Sequence, residues 1–221
     1  MMNLLLIRHA TNDWVGKRLA GWTPGVHLND EGRAQAKALA QRLAVIPLAA
    51  IYSSPLERTL ETAQRLAVAH GLAVEIREAL GESRIGDWTG RELEELQKDE
   101  LWPVVQVYPS GVRFPGGESM RETQVRFVAE LDAIREAHPE QTVAVVSHSD
   151  PIKMAVAYYA GLPLDLYQRL VISPASVTAL TFSRFGPRLV CMNYVDSLPS
   201  FKIEEKEAGS KEEQDKEDEE Q

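Results

Sequence analysis

A chain of 221 residues and 24.6 kDa is long enough to bury one α/β core, because single domains routinely reach this size. With 44% hydrophobic and 26% charged residues, 14 glycines, 12 prolines and one cysteine, collagenous, disulfide-stapled and wholly disordered classes are excluded. The formal charge of −9 is uneven: residues 202–221 hold four lysines against ten acidic residues, a net of −6, and leave −3 on the rest. That tail has too little apolar surface to offset the entropy of ordering it and is expected to be disordered, so the domain is set at 1–201 and the acidic tail at 202–221. No basic stripe interleaved with aromatics points to a nucleic acid. The apolar run Leu4–Ile7 is stopped by Arg8, too soon for a signal peptide or a membrane span, so no membrane partner is expected and the cytoplasm is the expected compartment. Cys191, without a second thiol, is expected to pack as a small apolar residue in a strand.

In chain order, Leu4–Ile7 reads as a first strand. Asn29 caps a helix over 30–45 whose first turn holds Asp30 and Glu31 and whose Ala36, Leu39, Ala40 and Leu43 share one face. Ala50–Ser53 is a second strand, followed by Ser54-Pro55-Leu56-Glu57, which reads as a capping box with proline at the first helical position. A short strand near Val74–Ile76, an irregular stretch from Gly81 to Gly90 and a helix near 91–98 follow, and 102–117 reads as loop. Ser119 and Glu122 form a second capping box, opening a helix that ends near His138-Pro139. Thr142–Val146 is apolar throughout, as the middle of a parallel sheet requires. Asp150, read as an N-cap ahead of Pro151, starts a helix ended by Gly161 and Pro163, and Ser176–Phe182 with Leu189–Val195 form an edge hairpin. This order predicts a three-layer α/β/α domain around a mostly parallel sheet.

In open parallel sheets ligands bind beyond the carboxyl ends of the strands. Arg8 and His9 follow the first strand, Arg58 lies just after the second, Glu82 after the third, and His148 after Thr142–Val146. Each residue alone has an ordinary explanation as a rim or surface group. Together, two arginines, two histidines and a carboxylate at one rim suit a phosphate group, because guanidinium forks match phosphate oxygens and stay charged. The following helix adds free N–H groups and its positive dipole end. His148 and Asp150 are too sparse for a metal site, and no third ligand stands nearby.

These residues also carry a resemblance. Leu4-Leu5-Leu6-Ile7-Arg8-His9-Ala10, Gly21-Trp22, Leu28 to Gly32, Ser53 to Thr59, Glu82 with Gly86, Trp88 and Gly90, Pro115 to Ser119, and Ser147-His148 resemble, in order, the motifs of the histidine phosphatase superfamily, with its phosphoglycerate-mutase-like fold. The resemblance spans roughly 3–195. It implies a phosphohistidine at His9, with Arg8, Arg58 and His148 on the phosphoryl oxygens and Glu82 as the acid that then serves as base. It further places Asn12, Gly21, Trp22, Thr23 and Ser149 at the substrate site, with no metal or cofactor and a small phosphorylated metabolite as partner. A homo-oligomer is left open.

The sequence departs from the family pattern in three places. Ala10 replaces a glycine, so an ordinary negative φ is expected there. Val15 replaces an asparagine that touches phosphate, a role expected to pass to Asn12. Ser149 and Asp150 replace glycines, setting a negative charge near an anionic ligand. Ile85 stands where phosphoglycerate mutases carry tyrosine, and the stretch between Gly90 and Gly117 has only Arg91, Lys98 and Arg113 as basic residues. Hydrolysis is therefore expected over mutase activity, with a catalytically silent phosphate-binding module as the other-class alternative.

Overall fold

The computed structural model describes residues 1–195; the acidic tail lies outside the described residues. Six strands form one sheet in the order β3-β2-β4-β1-β5-β6, where β1 is Met2–Arg8, β2 Ala50–Ser53, β3 Val74–Ile76, β4 Thr142–Ser147, β5 Val177–Ser183 and β6 Gly186–Tyr194. The first four in that order are parallel, and β5 and β6 add an antiparallel hairpin at the edge. The period-2 alternation of strand side chains divides the core. Leu4, Leu6, Val143 and Val145 pack under α5 (Met120–Ala137) and α6 (Ser149–Ala160). Leu5, Ile7, Ala144 and Val146 pack under α1 (Asp30–Leu43) and α2 (Glu57–His70). The chain therefore has the expected three layers. Among the described residues no helix is long and apolar enough to cross a membrane.

Local signals hold at two helix starts. Asn29 accepts the Gly32 N–H at 2.9 Å, and Ser119 and Glu122 form the reciprocal box at the start of α5. Two others need correction. The Ser54–Glu57 capping box does not form: Leu56 is the N-cap of α2 without a side-chain cap bond. The Ser54 hydroxyl instead meets His148 Nε2 at 2.8 Å and takes only a long 3.4 Å bond from Leu56 N–H. Asp150 does not cap α6 either. His148 occupies the N-cap, and Asp150 sits in the first turn with its carboxylate 3.5 Å from Lys153 Nζ.

The stretch 102–117 is not all loop. A helix, α4, runs Leu101–Val107 after the short α3 (Leu93–Leu96), and Pro109–Gly111 forms a 3-10 turn. Pro103 in the first turn of α4 removes an N–H that has no intrahelical acceptor anyway. Val105, with partly buried Leu101, Trp102 and Val104, joins Ile85, Trp88, Leu96, Phe114 and Met120 in a third apolar cluster. That cluster makes a cap beside the sheet's carboxyl rim.

Candidate active site

The register of the sheet assembles the site. Arg8 pairs with Ser147 across β1 and β4, and Ser53 lies opposite Val146 across β2 and β4, so the residues following all three strands emerge side by side. His9 N–H donates to Ser147 O at 2.9 Å, which ties the first histidine to the residue before the second. Arg8, His9, Asn12, Gly21, Arg58, Glu82 and Ser149 all line one cleft of about 160 Å³. His148 lies against it, fully buried, with its ring centroid 5.3 Å from that of His9. Trp22 and Thr23, expected at this site, are not among the cleft's lining residues.

His9 is 5% exposed and its Nδ1 lies 2.8 Å from Ala10 O. A carbonyl can only accept, so Nδ1 carries the ring hydrogen and Nε2 keeps its lone pair. Burial, then the charges of Arg58 and Arg8, holds this imidazole well below its ordinary pKa. Ala10 is absent from the positive-φ residues, as its side chain demands, and its N–H donates to the Thr62 hydroxyl at 3.0 Å. His148 is lowered in the same way, by burial first and then by Arg58, His9 and Arg8. Its Nδ1 stands 3.9 Å from Glu82 Oε2. With the histidine neutral, this is a contact of an imidazole and a carboxyl group, not an ion pair.

The donors are held rigidly and only partly used. Arg8 Nη1 donates to Ile172 O at 2.7 Å and Arg58 Nη2 to Gly21 O at 2.8 Å. Arg8 Nε, Arg58 Nη1 and His148 Nδ1 are buried without a hydrogen-bond partner. Buried N–H groups are rarely left so, and each costs about 1–3 kcal/mol. Two guanidinium donors of this kind, with the partnerless ring nitrogen of His148 beside them, mark a site built for an oxyanion. Burial lowers both guanidinium pKa values, yet arginine starts high enough to stay charged. Asn12 accepts the Trp14 N–H at 2.9 Å through Oδ1, which turns its amide nitrogen into a further donor at the cleft, beside Val15.

Glu82 is the opposite case. Burial, and then the nearby Asp150 charge, pushes its carboxyl up to about 7, against the pull of Arg58 and Arg8 and a 2.9 Å bond from Ser83 N–H. The loop that carries it is gripped from outside the cleft. Trp22 Nε1 donates to Glu82 O at 2.7 Å, and Trp22 covers Gly81, where a Cβ would fall 2.2 Å from the indole. Arg126 donates to Ala79 O, Gly81 O and Glu82 O while paired with Glu118 at 2.6 Å. Glu118 also accepts the Arg84 N–H at 2.9 Å. Sequence reasoning gave Arg126 no role, because a helix arginine reaching three carbonyls across more than forty residues leaves no local pattern. Among the described residues no group of three or more His, Cys, Asp or Glu side chains comes together as a metal cage.

Comparison with known proteins agrees with this geometry. Residues 4–195 match the histidine phosphatase superfamily, branch 1. Phosphoserine phosphatase 1 of Hydrogenobacter thermophilus is 32% identical over 209 residues, covering 92% of this chain and 98% of that protein. A protein named probable phosphoglycerate mutase GpmB of Cronobacter sakazakii is 29% identical, covering 83% and 86%. Among solved structures, a phosphoserine phosphatase mutant of Entamoeba histolytica in complex with phosphoserine superposes with a TM-score of 0.80 at 27% identity, over 87% of this chain and 97% of that one. A mycobacterial glucosyl-3-phosphoglycerate phosphatase complexed with VO3 gives 0.80 at 26%, over 87% and 99%. The chain belongs to branch 1 of the histidine phosphatase superfamily and is a phosphatase.

Proposed function

We propose that this phosphatase hydrolyses small phosphomonoesters in two steps through a phosphohistidine at His9. The observation that carries the reading is the pair of partnerless buried donors on Arg8 and Arg58, with the partnerless Nδ1 of His148, beside an imidazole whose Nε2 lone pair is free. In the first step Nε2 attacks phosphorus and the ester P–O bond breaks. The protonated Glu82 carboxyl gives its proton to the departing alkoxide, as a group with a pKa near 7 can at neutral pH. In the second step the Glu82 carboxylate takes a proton from water, the hydroxide attacks phosphorus, the P–N bond breaks, and His9 and phosphate are released. Charge spread over the phosphoryl oxygens in both transition states is met by the fixed donors, where catalysis of phosphoryl transfer is concentrated. Hydrolysis is favoured over mutase chemistry because the further cation lining the cleft, Arg18, is already paired with Glu92 at 2.6 Å, leaving a second phosphate of a bisphosphorylated intermediate without a partner.

The test is phosphate release from a panel of phosphomonoesters with a chelator present, together with alkaline-quench trapping of a phosphoenzyme. Wild type should release phosphate and form an acid-labile, base-stable phosphoenzyme. His9→Ala should lose both, with turnover down by about 10⁴-fold or more. Turnover that survives in His9→Ala would overturn the phosphohistidine, and phosphate moving between carbons of 3-phosphoglycerate without release would favour a mutase.

A further inference from the structure

Beyond the orphaned donors the cleft changes character. Its apolar lining is Trp14, Val15, Leu19, Ala20, Ile85 and Leu93. Two separate stretches of chain supply it, and backbone bonds lock them together: Leu19 N–H to Arg91 O at 3.0 Å, Gly90 N–H to Leu19 O at 2.7 Å, and Leu93 N–H to Lys17 O at 2.8 Å. The apolar wall is thus part of the framework, not a mobile flap. Arg18 is committed twice, donating to Glu92 Oε1 at 2.6 Å and lying over the Trp14 ring at 5.6 Å. Arg8 and Arg58 each give one nitrogen to a carbonyl and on the reading above keep the rest for phosphate. Asp150 adds negative charge close enough to act on both Glu82 and Arg8. A substrate carboxylate near the ester would lose water against the wall, meet no uncommitted cation and be repelled by Asp150.

Resting on the phosphomonoesterase reading, we propose that this cleft selects phosphate esters of compact apolar alcohols and disfavours esters that carry a carboxylate beside the phosphate, with Val15, Ile85 and Leu93 determining that choice. The volume of about 160 Å³ is well under the roughly 300–1,000 Å³ of sites for drug-sized ligands, so the alcohol is small. This sets the chain apart from relatives named for phosphoserine even though the phosphoryl end of the site is shared in kind.

The experiment compares kcat/KM for n-butyl phosphate, phosphoserine and 3-phosphoglycerate. Serine's hydroxyl is the better leaving group, because its ammonium group withdraws electrons, so intrinsic reactivity opposes the expected result. Wild type should prefer n-butyl phosphate by about tenfold or more, the scale of discrimination by a small hydrophobic pocket. Val15→Lys, which sets a free ammonium in the wall at a partly exposed position, should shift the ratio of 3-phosphoglycerate to n-butyl phosphate by about tenfold toward the carboxylated ester. Leu93→Arg should do the same from the other stretch of chain. Parity or a preference for phosphoserine or 3-phosphoglycerate in the wild type would overturn this inference and leave the phosphatase reading standing. A ratio unmoved by both variants would also overturn it. Release from none of the three esters, nor from any ester of the wider panel, would remove the reading beneath it.

Discussion

The carboxyl rim of the sheet and the cap over 85–120 meet at one cleft but are built on opposite terms. At the rim, His9, Arg58 and His148 are buried polar groups, and Arg8 Nε and Arg58 Nη1 are donors left unspent, so stability is given up for a phosphate site. In the cap, Ile85, Trp88, Phe114 and Met120 are packed apolar groups, and backbone passes so close to backbone that glycine is required. Changes at the rim should therefore cost rate and spare the fold, whereas changes in the cap should cost the fold first.

The largest effect that sharpens this contrast is expected at Arg58. Arg58→Met keeps most of the buried volume and removes one charged donor from the phosphoryl site. Steady-state kinetics should show kcat/KM down by about 10²–10³-fold. Thermal unfolding should show Tm held or raised, since a buried guanidinium with a partnerless nitrogen no longer needs to be desolvated. A Tm fall of many degrees would show the rim to be structural after all.

Glu82 joins the two regions, because its carboxyl faces the cleft and its carbonyl is held by Trp22 and Arg126. The proton it donates is present below about pH 7 and lost above it, so the rate of phosphoenzyme formation should fall tenfold per pH unit on the alkaline side. Hydrolysis of the phosphoenzyme needs the carboxylate and should rise through the same range. Glu82→Gln should lower kcat by about 10²-fold and flatten both limbs in rapid-quench measurements. The same group makes stability depend on pH. With the folded pKa raised, its contribution is full below the unfolded value near 4.5 and is lost as pH rises through about 7. Glu82→Gln should thus be more stable than wild type at pH 8, by on the order of 2 kcal/mol, and no more stable at pH 4. Equal Tm values at pH 8 would mean that the carboxyl is not held up.

Much of this arrangement was legible in the sequence, for a physical reason. Residues that end strands of a parallel sheet share one rim, so Arg8, His9 and His148 could be placed together from the apolar runs before them. What could not be read were contacts whose partners lie far apart in sequence. Ser54 carries the local mark of a helix cap, yet its hydroxyl serves His148 across ninety-four residues. Asp150 stands before proline as caps do, yet the chain enters α6 two residues earlier, with His148 as the cap. Trp22 falls within a motif stretch but turns to the back of the Glu82 loop, and α4 was hidden by three valines and a proline whose strand and loop preferences were overridden by packing in the cap.

Gly86 tests the cap. Its φ is +53°, and an added Cβ would lie 2.0 Å from Pro115 O and 2.5 Å from Gly116 C, both backbone atoms that cannot turn aside. Gly86→Ala should destabilise by about 2–4 kcal/mol, seen as a Tm lower by roughly 5–10 °C for a chain of this size. Activity should fall alongside stability, because Asp87 N–H donates to Pro115 O, and the Glu82 loop is continuous with that turn. Wild-type stability in Gly86→Ala would mean that the cap yields easily, and with it the fixed apolar wall.

The smallest effect lies at the edge of the cap, at the start of α5. Ser119 Oγ accepts the Glu122 N–H at 3.2 Å, and Glu122 returns a bond to Ser119 N–H at 2.7 Å. Ser119→Ala removes one half of the box and should cost about 1 kcal/mol in denaturant unfolding. The helix it opens also carries Arg126, whose three bonds to carbonyls hold the Glu82 loop. If α5 acts only as a girder, Ser119→Ala will lower the unfolding midpoint and leave the alkaline limb of phosphoenzyme formation at the same pH. If fraying of its first turn reaches Arg126, that limb will move toward lower pH as Glu82 gains water and loses the burial that raises it. The two outcomes differ in a pKa and not in stability, so the measurement decides whether the cap merely roofs the site or also sets its chemistry.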